Sequence, residues 1–258
     1  MFSLFLFIFG LAIGSFLNVV IDRWSKDQSI QGRSHCDYCH RQLAWYDLIP
    51  VVSFMVVGGK CRYCHKKLSW QYPFIEILTG VLFLITYYEL RITNYIFLWA
   101  YLGIVSCLIV IFFSDAKYHI IPDQVQIGLL IFGLILLPYK GALRAMPLPV
   151  TFFNRAIAAI IIMAPILFLY YITHGKGMGF GDVKLAFVIG FLLGLQAGII
   201  ALYFAFIAGA IYGLIMLAGR RRGLKSKIAF GPFLVIGIFV MLFWGEQVLA
   251  IIRRWYGI

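Results

Sequence analysis

The sequence predicts an all-α polytopic membrane protein with about eight transmembrane helices and one small polar hairpin between helices 1 and 2. Three observations carry this expectation. Hydrophobic residues make up 63% of the 258 and charged residues only 12%, against about 25% charged in soluble domains. Apolar runs occupy 2–21, 73–88, 95–113, 125–138, 156–173, 183–196, 197–218 and 233–252, several of them at or above the roughly 20 residues that cross a bilayer as helix. The one sizeable polar segment is 22–72.

Three of these runs leave the helix count open. Run 125–138 is short enough for a half-span, and the sixth and seventh runs are divided only near Gln196 and Gly198, so the count is seven or eight. Glycine is frequent, with 25 residues, which suits close helix approach in lipid. No Lys or Arg precedes the first apolar run, whereas Asp22, Arg23 and Lys26 follow it. That order is the reverse of a secretory signal, so residues 1–21 are expected to be a retained helix with its N-terminus outside. The expected organisation is this first helix, a cytoplasmic loop at 22–72 and a membrane core at 73–258.

Orientation follows from the basic residues, which concentrate on the cytoplasmic side of helix ends. With the N-terminus outside and eight helices, the inside segments 22–72, 114–124, 174–184 and 219–230 hold 16 of the 22 lysines and arginines. The outside segments hold Arg91, Lys140, Arg144, Arg155, Arg253 and Arg254. The net charge of +12 then reflects topology and attraction to anionic headgroups, and no nucleic-acid partner is required. Arg220, Arg221 and Arg222 read as a stop-transfer and headgroup anchor.

The polar hairpin contains Cys36-Asp-Tyr-Cys39 and Cys61-Arg-Tyr-Cys64. Two Cys-x-x-Cys pairs at this separation fit a four-thiolate tetrahedral zinc site, each pair forming a knuckle and the metal closing the hairpin. A segment this small has little core, so the metal would contribute much of its folding energy. In a reducing cytoplasm two disulfides are not the expected resting state. His40 and His65 follow the second cysteines, so each knuckle also reads C-x-x-C-H, the haem-attachment pattern. That reading would put the loop outside and invert the charge count; exposed loop histidines are the plainer expectation. Cys107, inside an apolar run, is expected to pack as a small residue.

Ionisable groups at membrane depth are costly and therefore functional candidates. Asp115 ends the third apolar run, Asp182 precedes the sixth, Glu76 lies just inside the second and Glu246 in the last. In the eight-helix topology Asp115 and Asp182 emerge at one membrane face although 67 residues separate them. Two carboxylates a few ångström apart share a proton near neutral pH, the arrangement of an aspartic protease. Gly179 and Gly181, with Gly175 and Gly177 before them, permit unusual dihedrals and close approach of a peptide backbone to Asp182. The plainer reading is an interhelical loop whose aspartate caps the next helix. Asp123, after Pro122, is expected as the N-cap of the fourth helix, and Glu246 as a partly buried hydrogen-bonding residue. A different class of function, an ion- or proton-coupled transporter using the membrane aspartates, is the alternative.

Several segments together resemble one family, the type IV prepilin peptidases of the Gly-x-Gly-Asp aspartyl peptidases. They are GSFLNVVIDR at 14–23, WYDLIPVVSF at 45–54 between the cysteine knuckles, RYCHKKLSWQYPFIE at 62–76, SDAKYHIIPD at 114–123, GMGFGDVKL at 177–185 and FGPFL at 230–234. Their order and spacing span nearly the whole chain. Asp37 and Ser114 depart from the residues usual in that family and remove neither a ligand nor a carboxylate. The resemblance implies that Asp115 and Asp182 are the catalytic pair and that 73–258 is a membrane peptidase core. It implies a prepilin or pseudopilin substrate cleaved after a Gly at the cytoplasmic face, and N-methylation of the new N-terminus with S-adenosylmethionine. Pilus assembly, protein secretion and competence all use this leader chemistry, and the location implied is the prokaryotic cytoplasmic membrane.

Overall fold

The structure is a computed structural model that describes residues 1–90, 94–137, 152–175, 177–218 and 229–256. The charges expected in loops at Arg91, Lys140, Arg144 and Lys176, and the expected anchor at Arg220–Arg222, lie outside the described residues. The helices are α1 (Phe2–Trp24), α2 (Val52–Val56), α3 (Gln71–Leu90), α4 (Tyr95–Tyr118), α5 (Asp123–Leu136), α6 (Phe152–Ile172), α7 (Phe180–Leu193), α8 (Leu195–Ala218) and α9 (Gly231–Tyr256). Among the described residues β pairing is limited to two isolated bridges, His35 with Gln42 and Lys60 with Lys67.

Each apolar run has become a helix, and six of them are long and apolar enough to cross a membrane. The chain is a multi-pass membrane protein. α5 and α7 have 14 residues each, about 21 Å of helix, short of the ~30 Å hydrocarbon core. The break between α7 and α8 falls at Gly194 (φ 76°, ψ −175°), two residues before Gln196. A Cβ on Gly198 would come within 3.7 Å of the Gly190 Cα, which requires the chain to reverse at Gly194. Among the described residues this makes eight helices of 14 residues or more, rather than seven, six of them long enough to span.

Two compact units divide the chain. The first comprises residues 1–93 with 105–110. Here α1 and α3 pack along Gly10 and Gly14: a Cβ on Gly10 would lie 2.7 Å from the Gly80 Cα, and one on Gly14 would lie 2.7 Å from the Glu76 Cα. Small residues at i and i+4 give this contact, because dispersion between closely approaching backbones replaces the hydrophobic effect in lipid. Asn18 Nδ2 seals the pair by donating to the Gly14 and Tyr72 carbonyls, each at 3.2 Å.

The second unit comprises residues 94–104 and 111–258. Its central helix is α7, apolar all round and buried along nearly its whole length, with α5, α6, α8 and α9 against it. Gly190 lets α6 approach, since a Cβ there would lie 2.6 Å from the Ala158 carbonyl oxygen. Arg155, expected as an outside loop charge, is instead a buried residue of α6 (4% exposed) whose guanidinium donates to the carbonyls of Phe191 and Leu192. Those are among the last carbonyls of α7, which have no intrahelical partner. Glu246 also departs from expectation: it is exposed, two residues beyond Trp244, whose non-helical dihedrals (φ −120°, ψ 18°) kink α9.

Candidate active site and metal centre

Asp115 lies in the last turn of α4, and Asp182 in the first turn of α7. α4 continues one turn past the apolar run and stops because His119 adopts the left-handed conformation (φ 55°), its amide donating to the Asp115 carbonyl at 2.9 Å. Both carboxylates are buried, at 6% and 7% exposure. They lie close enough for their charges to interact. Neither pairs with a lysine or arginine among the described residues.

Each carboxylate is oriented by a backbone donor. The Gly231 amide, at the start of α9, donates to Asp115 Oδ2 at 2.7 Å. The Gly179 amide donates to Asp182 Oδ2 at 3.1 Å, while the Asp182 amide donates back to the Gly179 carbonyl at 3.1 Å. Asp182 therefore does cap α7, as the plainer reading has it. The same reciprocal bonds hold its carboxylate at the start of α7.

The glycines before Asp182 need less conformational freedom than expected. Gly179 has φ −77° and Gly181 is helical, so neither needs a left-handed backbone; Gly175, at φ 71°, does. What Gly179 supplies is space. A Cβ there would meet only Asp182 Oδ2, at 3.6 Å, and the Gly181 amide nitrogen, at 4.0 Å. A Cβ on Gly181 would press on Ile121 at 3.3 Å.

Asp123 is not the cap of α5. Pro122 occupies that position, and the Asp123 carboxylate accepts from Lys184 Nζ at 2.7 and 2.8 Å, tying the start of α5 to α7 two residues beyond Asp182. Gly231, Lys184 and Arg155 were not singled out by sequence reasoning for these roles. The one signal for Gly231 was its place in FGPFL.

The two cysteine knuckles share one local geometry. In the first, the His40 amide donates to the Cys36 carbonyl at 2.9 Å and the Cys36 amide to the Arg41 carbonyl at 3.0 Å; in the second, the corresponding bonds from His65 to Cys61 and Cys61 to Lys66 are 2.9 and 2.8 Å. His40 and His65 turn each knuckle through left-handed backbone, at φ 53° and 56°, and both side chains are exposed. Arg41 of the first knuckle stacks on Tyr63 of the second at 4.3 Å. Asp47 holds Arg62 at 2.8 Å and accepts from the Tyr63 hydroxyl at 3.2 Å.

The four sulfurs of Cys36, Cys39, Cys61 and Cys64 lie within 4.8 Å of one another, and no disulfide joins them. Tetrahedral zinc with Zn–S near 2.3 Å implies S···S of about 3.8 Å, the 3.8 Å found between Cys36 and Cys64. The cluster fits a metal ion. Burial raises the Cys61 thiol, but the amides of Cys64 and Tyr63 and hydrogen bonds from neighbouring thiols outweigh it and bring it to about 7. Cys64 is pulled down by the Lys66 amide and pushed further up, to about 11, by burial and by its bonds to Cys61, Cys39 and Cys36. A cation bound among the four sulfurs would displace the remaining thiol protons.

Two buried carboxylates brought together at the ends of otherwise apolar helices are the arrangement an aspartic peptidase needs. A family model described as type IV leader peptidase family matches residues 102–214, and one described as bacterial peptidase A24 N-terminal domain matches 8–90. The prepilin leader peptidase/N-methyltransferase of Bacillus subtilis (strain 168) is 32% identical over 250 residues, covering 95% of each chain. That of Legionella pneumophila is 32% identical over 274 residues, covering 96% of this chain and 92% of its own. That of Xanthomonas campestris pv. campestris is 29% identical over 278 residues, covering 96% and 93%. No solved structure matches. The chain belongs to the type IV leader peptidase family.

Proposed function

We propose that this enzyme removes the short basic leader of type IV prepilins or pseudopilins after a Gly, at the cytoplasmic face of a prokaryotic cytoplasmic membrane, and N-methylates the residue so exposed. The observation that carries the peptidase half is the meeting of two buried aspartates from α4 and α7, neither paired with a lysine or arginine among the described residues. Held this close, the pair carries one proton. The ionised member takes a proton from water as the water oxygen attacks the scissile carbonyl. The protonated member donates to the developing oxyanion and, as the C–N bond breaks, a proton passes to the leaving amine. Asp115 and Asp182 have these roles, and Gly179 and Gly181 leave room for the substrate backbone.

The N-terminus lies outside, and residues 22–72 form a cytoplasmic domain between helix 1–21 and the peptidase core 73–258. Zinc is the metal of the hairpin, bound by Cys36, Cys39, Cys61 and Cys64. It supplies folding energy there, and no step of the cleavage runs through it. The methyl group comes from S-adenosylmethionine as a co-substrate; that the similar proteins are named N-methyltransferases supports the methylation half.

Purified protein incubated with a prepilin and S-adenosylmethionine tests both halves in one mass measurement of the product. A product short by the leader and heavier by one methyl is expected. An unshortened prepilin contradicts the peptidase reading, and a shortened, unmethylated one contradicts the methyltransferase half.

A further inference from the structure

α1 and α3 pack antiparallel in one register: Gly10 meets Gly80, Gly14 meets Glu76, and Asn18 donates to the Tyr72 carbonyl. With both helices crossing a bilayer, this register measures depth. Asp22 is the first charge after the apolar run of α1, and Gly14 stands eight residues before it, about 12 Å further into the membrane. Glu76 is level with Gly14, and its carboxylate accepts from the Val51 amide at 2.7 Å. A helical side chain leans toward the start of its helix, so the Val51 amide lies roughly 5–10 Å below Asp22. The hairpin from Val51 onward is thereby held at the boundary between headgroups and acyl chains.

What the chain places at that depth is apolar. α2 begins at Val52, after Val51 at positive φ (60°), a costly conformation for a β-branched residue. Its Phe54 packs on Trp70, with ring centroids 4.9 Å apart. Val52, Met55 and Val56 form another stripe of α2, with Met55 and Val56 73% and 71% exposed. Trp70 and Trp45, the latter in the 3₁₀ turn Trp45–Leu48 that touches α2, are both 77% exposed. Trp70 also heads the exposed stripe of α3, followed by Phe74, Ile77 and Val81. The patch therefore runs on from the surface that a spanning α3 turns to lipid.

The charge complements an anionic leaflet. Lys60, four residues after α2, faces Lys67 across an antiparallel bridge. Like charges directly opposite one another repel, and anionic headgroups relieve the repulsion. Residues 22–72 hold eight lysines and arginines against four aspartates. Three of those aspartates meet other partners: Asp47 binds Arg62 and Tyr63, and Asp22 and Asp37 bind Tyr72.

We propose that this part of the hairpin is a second membrane anchor that lies in one leaflet without crossing it. Trp45, Val52, Met55, Val56 and Trp70 enter the acyl boundary, and Lys60 and Lys67 meet anionic headgroups, as interfacial helices and aromatic belts do. The occupant is lipid, not the apolar helix of a pilin, because the patch continues a lipid-facing stripe at the depth the α1–α3 register sets. The inference uses only the crossing of the bilayer by α1 and α3 and is independent of the peptidase and methyltransferase readings.

The test is tryptophan quenching in the full-length protein, one copy per nanodisc of phosphatidylglycerol and phosphatidylcholine. The emission lost in Trp45→Phe and in Trp70→Phe isolates each indole. Trp45→Phe alters an exposed ring, so it reports even where Trp70→Phe does not fold. Lipid brominated near the headgroup should quench both components about twofold more than lipid brominated near the bilayer centre, and aqueous acrylamide should quench them about threefold less than free N-acetyltryptophanamide. Acrylamide quenching equal to that of the free indole, with no response to brominated lipid, overturns the anchor. Shielding that appears only when a prepilin is added, or only with two copies per nanodisc, also overturns it, in favour of a substrate or a second copy.

Discussion

The amide of Gly231 donates to Asp115 Oδ2 at 2.7 Å, across 116 residues of sequence. A first-turn amide of a helix has no intrahelical acceptor and carries part of the positive end of the helix dipole. Asp115 thus has a fixed donor on one of its two oxygens. The contact leaves no room for a side chain: a Cβ on Gly231 would lie 2.7 Å from that oxygen and 3.0 Å from the Asp115 Cβ and Cγ.

Gly231→Ala should therefore displace the Asp115 carboxylate. Misplacement of a reacting group by about 1 Å costs about 10²-fold in rate. Leader removal should slow by that order, measured as kcat on a co-purified prepilin, while the metal content of the hairpin stays unchanged.

Asp123 and Lys184 form an exposed pair, with side chains 59% and 41% exposed, and exposed pairs contribute about 0–1 kcal/mol. Asp123→Asn should lower the melting temperature in detergent by no more than a few degrees and keep leader removal within about threefold of wild type. A loss as deep as that of an Asp115 variant would move the catalytic role to Asp123.

The metal centre predicts about one zinc per chain by elemental analysis. Changing Cys36 and Cys39 together to Ser should remove it. Acid should do the same, because the ligands are thiolates and protonation as the pH falls releases the ion, whereas raising the pH should not. Retained metal in the double variant would contradict the four-cysteine site.

Arg155 satisfies the carbonyls of Phe191 and Leu192 inside the helix bundle. Arg155→Met keeps the apolar stem and leaves those carbonyls unpaired, at a cost of about 1–3 kcal/mol. A lowered unfolding midpoint is expected; an unchanged one would show that the carbonyls find other donors.

The apolar runs were readable because lipid demands length and composition, and each became a helix. Local geometry was readable where it depends on neighbours in sequence: the knuckles, and Asp182 reaching back to Gly179. Long-range pairings were not. Nothing within the sequence around Arg155 distinguishes a loop charge from a buried cap on α7, 36 residues away. Asp123 after Pro122 has every local mark of an N-cap, yet Lys184 holds its carboxylate. The Gly231–Asp115 bond depends on where α9 begins relative to α4, which periodicity does not encode. The chain reversal fell at Gly194 rather than near Gln196 because the positive φ of a glycine, not the polarity of a neighbour, allows the turn.

The central claim is that Asp115 and Asp182 act as one unit. Asp115→Asn and Asp182→Asn, each purified from membranes with hairpin metal intact, should fail to shorten a prepilin, as read by the mass of the product's N-terminus. The double variant should be no slower than either single one. If either single variant cleaves at the wild-type rate, the shared-proton dyad is wrong.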